Sequence, residues 1–147
     1  MAKKWKLSKD PLYRGDRVNG VAPPTHGANP SLVRHILYLE GHGRETPYLS
    51  CTESNDIAAI FSGKNGKVYQ TSVSTWKPNG VSHRSRKELL ALLKGKGNGK
   101  AEWSSAFEVM RANQYVEEHQ EHLADFADLP DQPAVDQATK TIFGITT

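Results

Sequence analysis

The sequence predicts a single mixed α+β domain, and three observations carry that expectation. The chain has 147 residues, one domain's worth and enough to bury a real core. Short β-branched and aromatic segments alternate with segments whose apolar residues recur at helical spacing. The strand-like segments are spread from one end of the chain to the other, the pattern of mixed α and β rather than of either alone.

The first strand is expected in DPLYRGDRV (10–18). Pro11 opens it, Leu12, Tyr13 and Val18 give it apolar and aromatic character, and Gly15 interrupts it. NGVAPPTHGANP (19–30), punctuated by glycine and proline, is a loop. SLVRHILYLEG (31–41) begins with a capping serine, and Leu32, Val33, Ile36, Leu37 and Leu39 fit a short helix. HGRETP (42–47) is a turn, and YLSCT (48–52) is a short strand. SNDIAAIFSG (54–63) is a short helix with Ser54 or Asn55 as its cap and Gly63 closing it.

GKVYQTSVS (66–74) alternates in β-branched and aromatic company and is a strand. SRKELLALLKG (85–95) is an amphipathic helix capped by Ser85, and KGNGK (96–100) breaks the chain. AEWSSAFEVMRANQYVEEHQEHL (101–123) starts helical on Trp103, Phe107, Val109 and Met110, while its later half fits helix or strand. HLADFADLP (122–130) and KTIFGIT (140–146) are the last two expected strands.

Hydrophobic residues make up 37% of the chain and charged residues 24%, the balance of a fairly polar globular protein. No apolar run approaches the roughly 20 residues that a membrane span needs, so no membrane partner is expected. MAKKWKLSKDP at the N-terminus has basic residues without an apolar stretch behind them, unlike a secretory signal. The one cysteine, Cys51, cannot form an internal disulfide, which suits a reducing compartment. The net charge is +3, and its distribution says more than its size. Lys3, Lys4, Lys6 and Lys9 crowd the N-terminus, and His83, Arg84, Arg86, Lys87, Lys94, Lys96 and Lys100 form a second basic stretch. An acidic stretch follows Glu117. That asymmetry suits either an anionic partner approached on one side, such as RNA or a pyrophosphate, or a plain solvated face.

Chemistry narrows by elimination. His119 and His122 stand at metal-ligand spacing beside Glu118 and Glu121, but no zinc signature or third ligand accompanies them, and no metal is expected. Cys51 as a nucleophile would need a histidine and an orienting group; a lone cysteine is more often a small buried hydrophobe. GKGNGK (95–100) lacks the spacing of a phosphate loop.

Three separated segments remain. LYRGD (12–16) carries an arginine on an early strand. YLSCTESNDIAAIFSGKNGKVYQTSV (48–73) runs from a Ser-x-Thr-x-Ser strand through an alanine-rich helix to an aromatic strand. QEHLADFADLP (120–130) puts a glutamate before an apolar run that ends in Leu-Pro. In order, spacing and local character these segments resemble the ADP-ribosyltransferases of the arginine–serine–glutamate type, particularly toxin domains at the ends of bacterial polymorphic and secreted effectors. The resemblance spans residues 12–130.

It implies a split β-sandwich with flanking helices, two small packed sheets and an NAD cleft between them. Residues 1–147 would form one catalytic domain, with 1–9 a basic N-terminal segment. NAD would be the co-substrate, and no metal is needed. Breaking the nicotinamide–ribose bond passes through an oxocarbenium-like state, so charge must be placed rather than covalent bonds made. By resemblance Glu121 takes the ribose 2′-hydroxyl and stabilises that cation, with Glu118 in reserve. Arg14 pairs with the pyrophosphate or ribose as a bidentate donor. Ser50 positions the glutamate and the ribose, and Thr52 shapes the wall below. The Gly15 backbone lets the nicotinamide amide approach, and Phe61 and Tyr69 are core or pocket wall.

Two residues before the glutamate, where the family often has Glu or Gln, stands His119, which leaves a nucleic-acid acceptor open beside a protein one. The implied activity is mono-ADP-ribosyl transfer from NAD to RNA or protein, by an injected or secreted effector acting in the target-cell cytoplasm, with an immunity protein as a further partner. Two rivals stand beside it. One is an NAD glycohydrolase with water as acceptor. The other is a non-catalytic basic nucleic-acid-binding module in which Trp5, Trp76 and Trp103 stack on bases.

Overall fold

A computed structural model describes residues 5–6, 9–38 and 45–145. The last residues of the expected helix at 31–41, the start of the turn at 42–47 and most of the basic N-terminal segment lie outside them. Strands form at β1 (Leu12–Arg17), β2 (Tyr48–Thr52) and β3 (Gly66–Thr71), where β-branched and aromatic content places them. Helices α1 (Leu32–Tyr38), α2 (Asn55–Ser62) and α3 (Arg86–Leu92) begin at serine caps. The Ser31, Ser54 and Ser85 hydroxyls accept the backbone N–H of Arg34, Ile57 and Glu88, each satisfying a donor that the first turn leaves without a partner. Gly63 closes α2 at φ 70°, a conformation that favours glycine.

The segment 101–123 resolves into helix α4 (Ala106–His119), capped by Ser105, and strand β5 (Glu121–Asp125). The switch takes a single residue. Gln120 adopts the left-handed region at φ 48°, the one non-glycine to do so among the described residues, and the chain leaves the helix directly into the strand.

Two expectations are corrected. The strand expected at 140–146 is instead the end of helix α5 (Gln132–Ile142), with Asp131 capping it through the Ala134 N–H and Pro133 in its first turn. Val135, Ala138, Thr139 and Ile142 are buried along it at helical spacing. The architecture differs as well. The described strands, with β4 (Ser82–Arg84), form one five-stranded antiparallel sheet in the order β3-β1-β2-β5-β4, not two packed sheets. Yet pairing within it is uneven. β1 meets β3 over six residue pairs and β2 meets β5 over five, but β1 and β2 register only at Tyr13 and Thr52. The sheet is almost divided down its middle.

Apolar side chains fill both sides of it. Leu12, Leu49, Cys51, Tyr69, Trp76 and Ala124 pack with Val135, Ala138 and Ile142 of α5. Tyr48 and Leu123 pack with Leu32, Val33 and Ile36 of α1, Leu89 of α3, and Val109, Ala112 and Val116 of α4. Neighbouring residues of β2 thus serve opposite clusters, as strand alternation requires.

Helix α2 lies directly on β1, and only glycine permits it. A Cβ at position 15 would stand 2.1 Å from the Ala58 carbonyl oxygen and 2.5 Å from the Ser62 nitrogen. Both obstacles are backbone, so α2 must move as a body. Gly15→Ala is expected to lower the urea midpoint by the equivalent of roughly 1–3 kcal/mol, the range for overpacking. An unchanged midpoint would show that the helix is free to shift.

Candidate active site

Beyond Tyr13 and Thr52 strands β1 and β2 stop pairing, and a cleft of about 240 Å³ opens at that seam. Arg14, Gly15, Ser50, Thr52, Phe61, His119 and Glu121 line it. Each wall follows from chain order: β1 brings Arg14, β2 brings Ser50, α2 brings Phe61, and the abrupt end of α4 delivers His119 and Glu121 together.

Glu121 opens β5 directly across from Thr52 and is only 6% exposed. Ser50 lies two residues along β2, on the diagonal, and its hydroxyl donates to Glu121 Oε2 at 2.8 Å. Arg14 is equally buried. Its Nε donates to Asp16 Oδ2 at 3.0 Å and its Nη1 to the Ser50 carbonyl at 2.9 Å, across the seam. Asp16 is held in turn, accepting the backbone N–H groups of Arg17 and Ala22 at 2.8 and 3.3 Å. A buried ion pair without such support would cost more than it returns. Here two backbone N–H groups support the carboxylate besides the guanidinium.

Thr52 donates to the His119 carbonyl at 2.6 Å and accepts the Ser54 N–H at 3.1 Å, tying the end of α4 to the start of α2. At the mouth the Phe61 ring stands edge-on to His119 at 5.0 Å, and the Tyr115 ring stacks on His119 at 5.7 Å. Behind Ser50, buried His35 of α1 places Nε2 2.8 Å from the serine Oγ, and its Nδ1 contacts the Thr46 hydroxyl. The cleft therefore presents a guanidinium and a hydroxyl-held carboxylate. That arrangement can pair with an anion and stabilise a positive charge that develops beside it.

Arg14, Gly15, Ser50, Thr52, Phe61 and Glu121 thus converge, although they come from three distant segments. Glu117 and Glu118 are exposed on α4 and do not line the cleft. Of the two places open to Tyr69 the core is the one taken, and the readings of Gly15 and the tryptophans change. Tyr69 does not line the cleft: its ring belongs to the core under α5, and its hydroxyl donates to the Arg17 and Val18 carbonyls at 2.6 and 3.1 Å. Gly15 does line it, but the close approach that its missing side chain permits is made by α2. The three tryptophans do not share one exposed surface. Trp76 is fully buried, and Trp5 and Trp103 pack against the two cores.

The basic stretch is partly consumed inside the fold. Arg84 binds Asp125 and Glu88, Arg86 lies 3.4 Å from Glu53, and the Lys100 ammonium lies 3.9 Å from Asp125, while Lys87, Lys94 and Lys96 are exposed. His119 and His122 part company: His119 ends α4 at the cleft, whereas His122 turns to the other face of β5. No group of three or more His, Cys, Asp or Glu suited to a metal occurs among the described residues. No helix among them is long and apolar enough to cross a membrane.

On that other face His122 Nε2 meets Glu53 Oε2 at 2.7 Å and His122 Nδ1 meets His83 Nε2 at 2.8 Å. The Trp5 ring covers His122 at 4.5 Å. Burial above all, and then the Arg86 charge, pulls His122 down to about 3. Burial and its partner His122 pull His83 down to about 4. Burial pushes the Glu53 carboxyl up, against the pull of Arg86.

His35 and Asp16 escaped sequence reasoning. His35 had a signal, since it is the one polar side chain amid Leu32, Val33 and Ile36 on the core face of its helix. Asp16, two residues after Arg14 on a strand, shares its face. Comparison with family models, with characterised proteins and with solved structures finds no match.

Proposed function

We propose that this protein is an ADP-ribosyltransferase, cleaving NAD at the nicotinamide–ribose bond and passing ADP-ribose to a macromolecular acceptor. One observation carries the proposal: Glu121, buried and held by the Ser50 hydroxyl, shares a cleft with the buried guanidinium of Arg14. Those are the three residues on which the sequence resemblance rests, brought together from positions 14, 50 and 121.

The donor set fits the co-substrate. Arg14 offers charge and N–H donors to a pyrophosphate or ribose, and Glu121 offers an acceptor to a ribose 2′-hydroxyl. At about 240 Å³ the cleft is smaller than the roughly 300–1,000 Å³ of sites that enclose a drug-sized ligand. It would take the nicotinamide–ribose end and leave the adenosine end outside. The C–N bond breaks with its electron pair departing on nicotinamide. The ribose cation so formed is stabilised by the Glu121 carboxylate, and the acceptor nucleophile then bonds to that carbon and gives up its proton. Exposed Lys87, Lys94 and Lys96 give an RNA acceptor a surface to approach. The same resemblance extends the proposal to a toxin delivered into the cytoplasm of a target cell and neutralised in its producer by an immunity protein.

The test uses labelled NAD, the purified chain and a bacterial lysate, with Glu121→Gln alongside. Products are separated into protein, RNA and small molecules. Label in protein or RNA that disappears with the variant is the expected result and identifies the acceptor class. Label in free ADP-ribose alone makes the protein a glycohydrolase, and NAD left intact by the wild type overturns the enzymatic proposal.

A further inference from the structure

We infer that His35 is a positioning residue that sets the direction of the hydrogen bond from Ser50 to Glu121. The inference rests on the function proposed above for that pair, but its geometry can be tested apart from it.

The Ser50 hydroxyl carries one hydrogen and accepts through its lone pairs. An ionised carboxylate only accepts, so at 2.8 Å from Glu121 Oε2 that hydrogen points at the glutamate. His35 Nε2, also 2.8 Å from Ser50 Oγ, must therefore be the donor. Nε2 carries the hydrogen, and in the neutral ring Nδ1 is then an acceptor. The Thr46 hydroxyl contacts Nδ1 and accepts the Tyr48 N–H at 3.4 Å, which leaves its own hydrogen for the imidazole.

Every donor in the chain Thr46–His35–Ser50–Glu121 thus points one way, toward the carboxylate. Bonds so aligned polarise one another, and a serine that accepts as well as donates cannot rotate freely. His35 itself is closely packed. It is 1% exposed, on a helix pinned by Leu32, Val33 and Ile36, with its ring edge-on to Tyr48 at 5.6 Å. The role needs an N–H donor at that place and no change of protonation.

Two variants separate this role from others. His35→Leu keeps an apolar body and removes the donor, whereas His35→Gln can keep an amide N–H near the Nε2 position. His35→Leu is expected to lower kcat for NAD cleavage roughly 10–100-fold, the usual cost of losing an outer-shell partner, with KM changed less than about threefold. His35→Gln is expected to recover to within about fivefold of wild type, with the pH profile unaltered. A glutamine variant as poor as the leucine one, with a limb of the pH profile lost, would make His35 an acid–base group and overturn the inference. So would a leucine variant of full activity.

Nitrogen NMR of the imidazoles supplies the independent reading, with the His35 signal identified by its absence from His35→Gln. The Nε2–H tautomer at neutral pH is the expected result, and the Nδ1–H tautomer overturns the inference whatever the activity. If the wild type leaves NAD intact, the proposed function fails and the tautomer alone decides the geometry. If His35→Leu does not fold, the glutamine variant and the tautomer decide it.

Discussion

Glu121→Gln is expected to lower NAD turnover by roughly 10²–10³-fold, the usual scale for removing one preorganised electrostatic contact. Glutamine keeps the shape of the side chain and an oxygen for the Ser50 hydroxyl, so the cleft stays built and the loss is one of charge. A carboxylate matters most when positive charge develops on the ribose, so the loss should fall on kcat and leave KM for NAD within a few-fold. Initial rates of nicotinamide release measure it, and a thermal melt confirms that the variant is folded. Glu118→Gln is the control, since Glu118 is exposed on α4 away from the cleft. A Glu121→Gln protein that turns over NAD at the wild-type rate sinks the assignment.

The second large effect is on stability and lies on the opposite face of β5. His122 and His83 are held neutral, with folded values near 3 and 4 against an ordinary 6.5. Below pH 6.5 the unfolded chain takes up protons that the folded chain refuses, so stability falls as pH drops from about 6.5 toward 3. For His122 alone the full shift corresponds to a loss of about 5 kcal/mol. Glu53 works the other way: held above its ordinary value, it binds its proton first in the folded chain and offsets part of the loss. Urea midpoints at pH 7, 5.5 and 4.5 should decline steeply, and His122→Asn should flatten that slope. Equal midpoints at pH 7 and 4.5 would show that the histidines are not held neutral.

Much of the secondary structure around the cleft was legible because short-range chemistry marks it, whereas the residues in it were singled out by resemblance. Serine caps, an alternating strand and an alanine-rich helix place residues 48–71 by local preference alone. What decided the remainder was tertiary. Nothing in VEEHQEHL announces that Gln120 will take a left-handed conformation, so the point where helix becomes strand could not be read. β5 was obscured by Glu121, His122 and Asp125, polar residues buried because each finds a partner on another element. The C-terminal helix had a readable signal in Asp131 and Pro133, but the β-branched and aromatic content after Lys140 pointed the other way. Ser82–Arg84 is too short to show any pattern, and it becomes a strand through pairing with β5. The division between two sheets or one was not a local property at all.

Under the proposed function Arg14 has two duties. With the backbone ladder between β1 and β2 reduced to Tyr13 and Thr52, its bond to the Ser50 carbonyl works as a clasp between the half-sheets. The group that would meet the ligand's negative charge is therefore also part of the masonry. Recognition and architecture are drawn from one guanidinium, and a change at position 14 cannot tune the first without disturbing the second. Under the proposed function, ligand affinity is free to vary at the rim, around Phe61 and His119, while the floor of the cleft is held by what keeps the sheet whole.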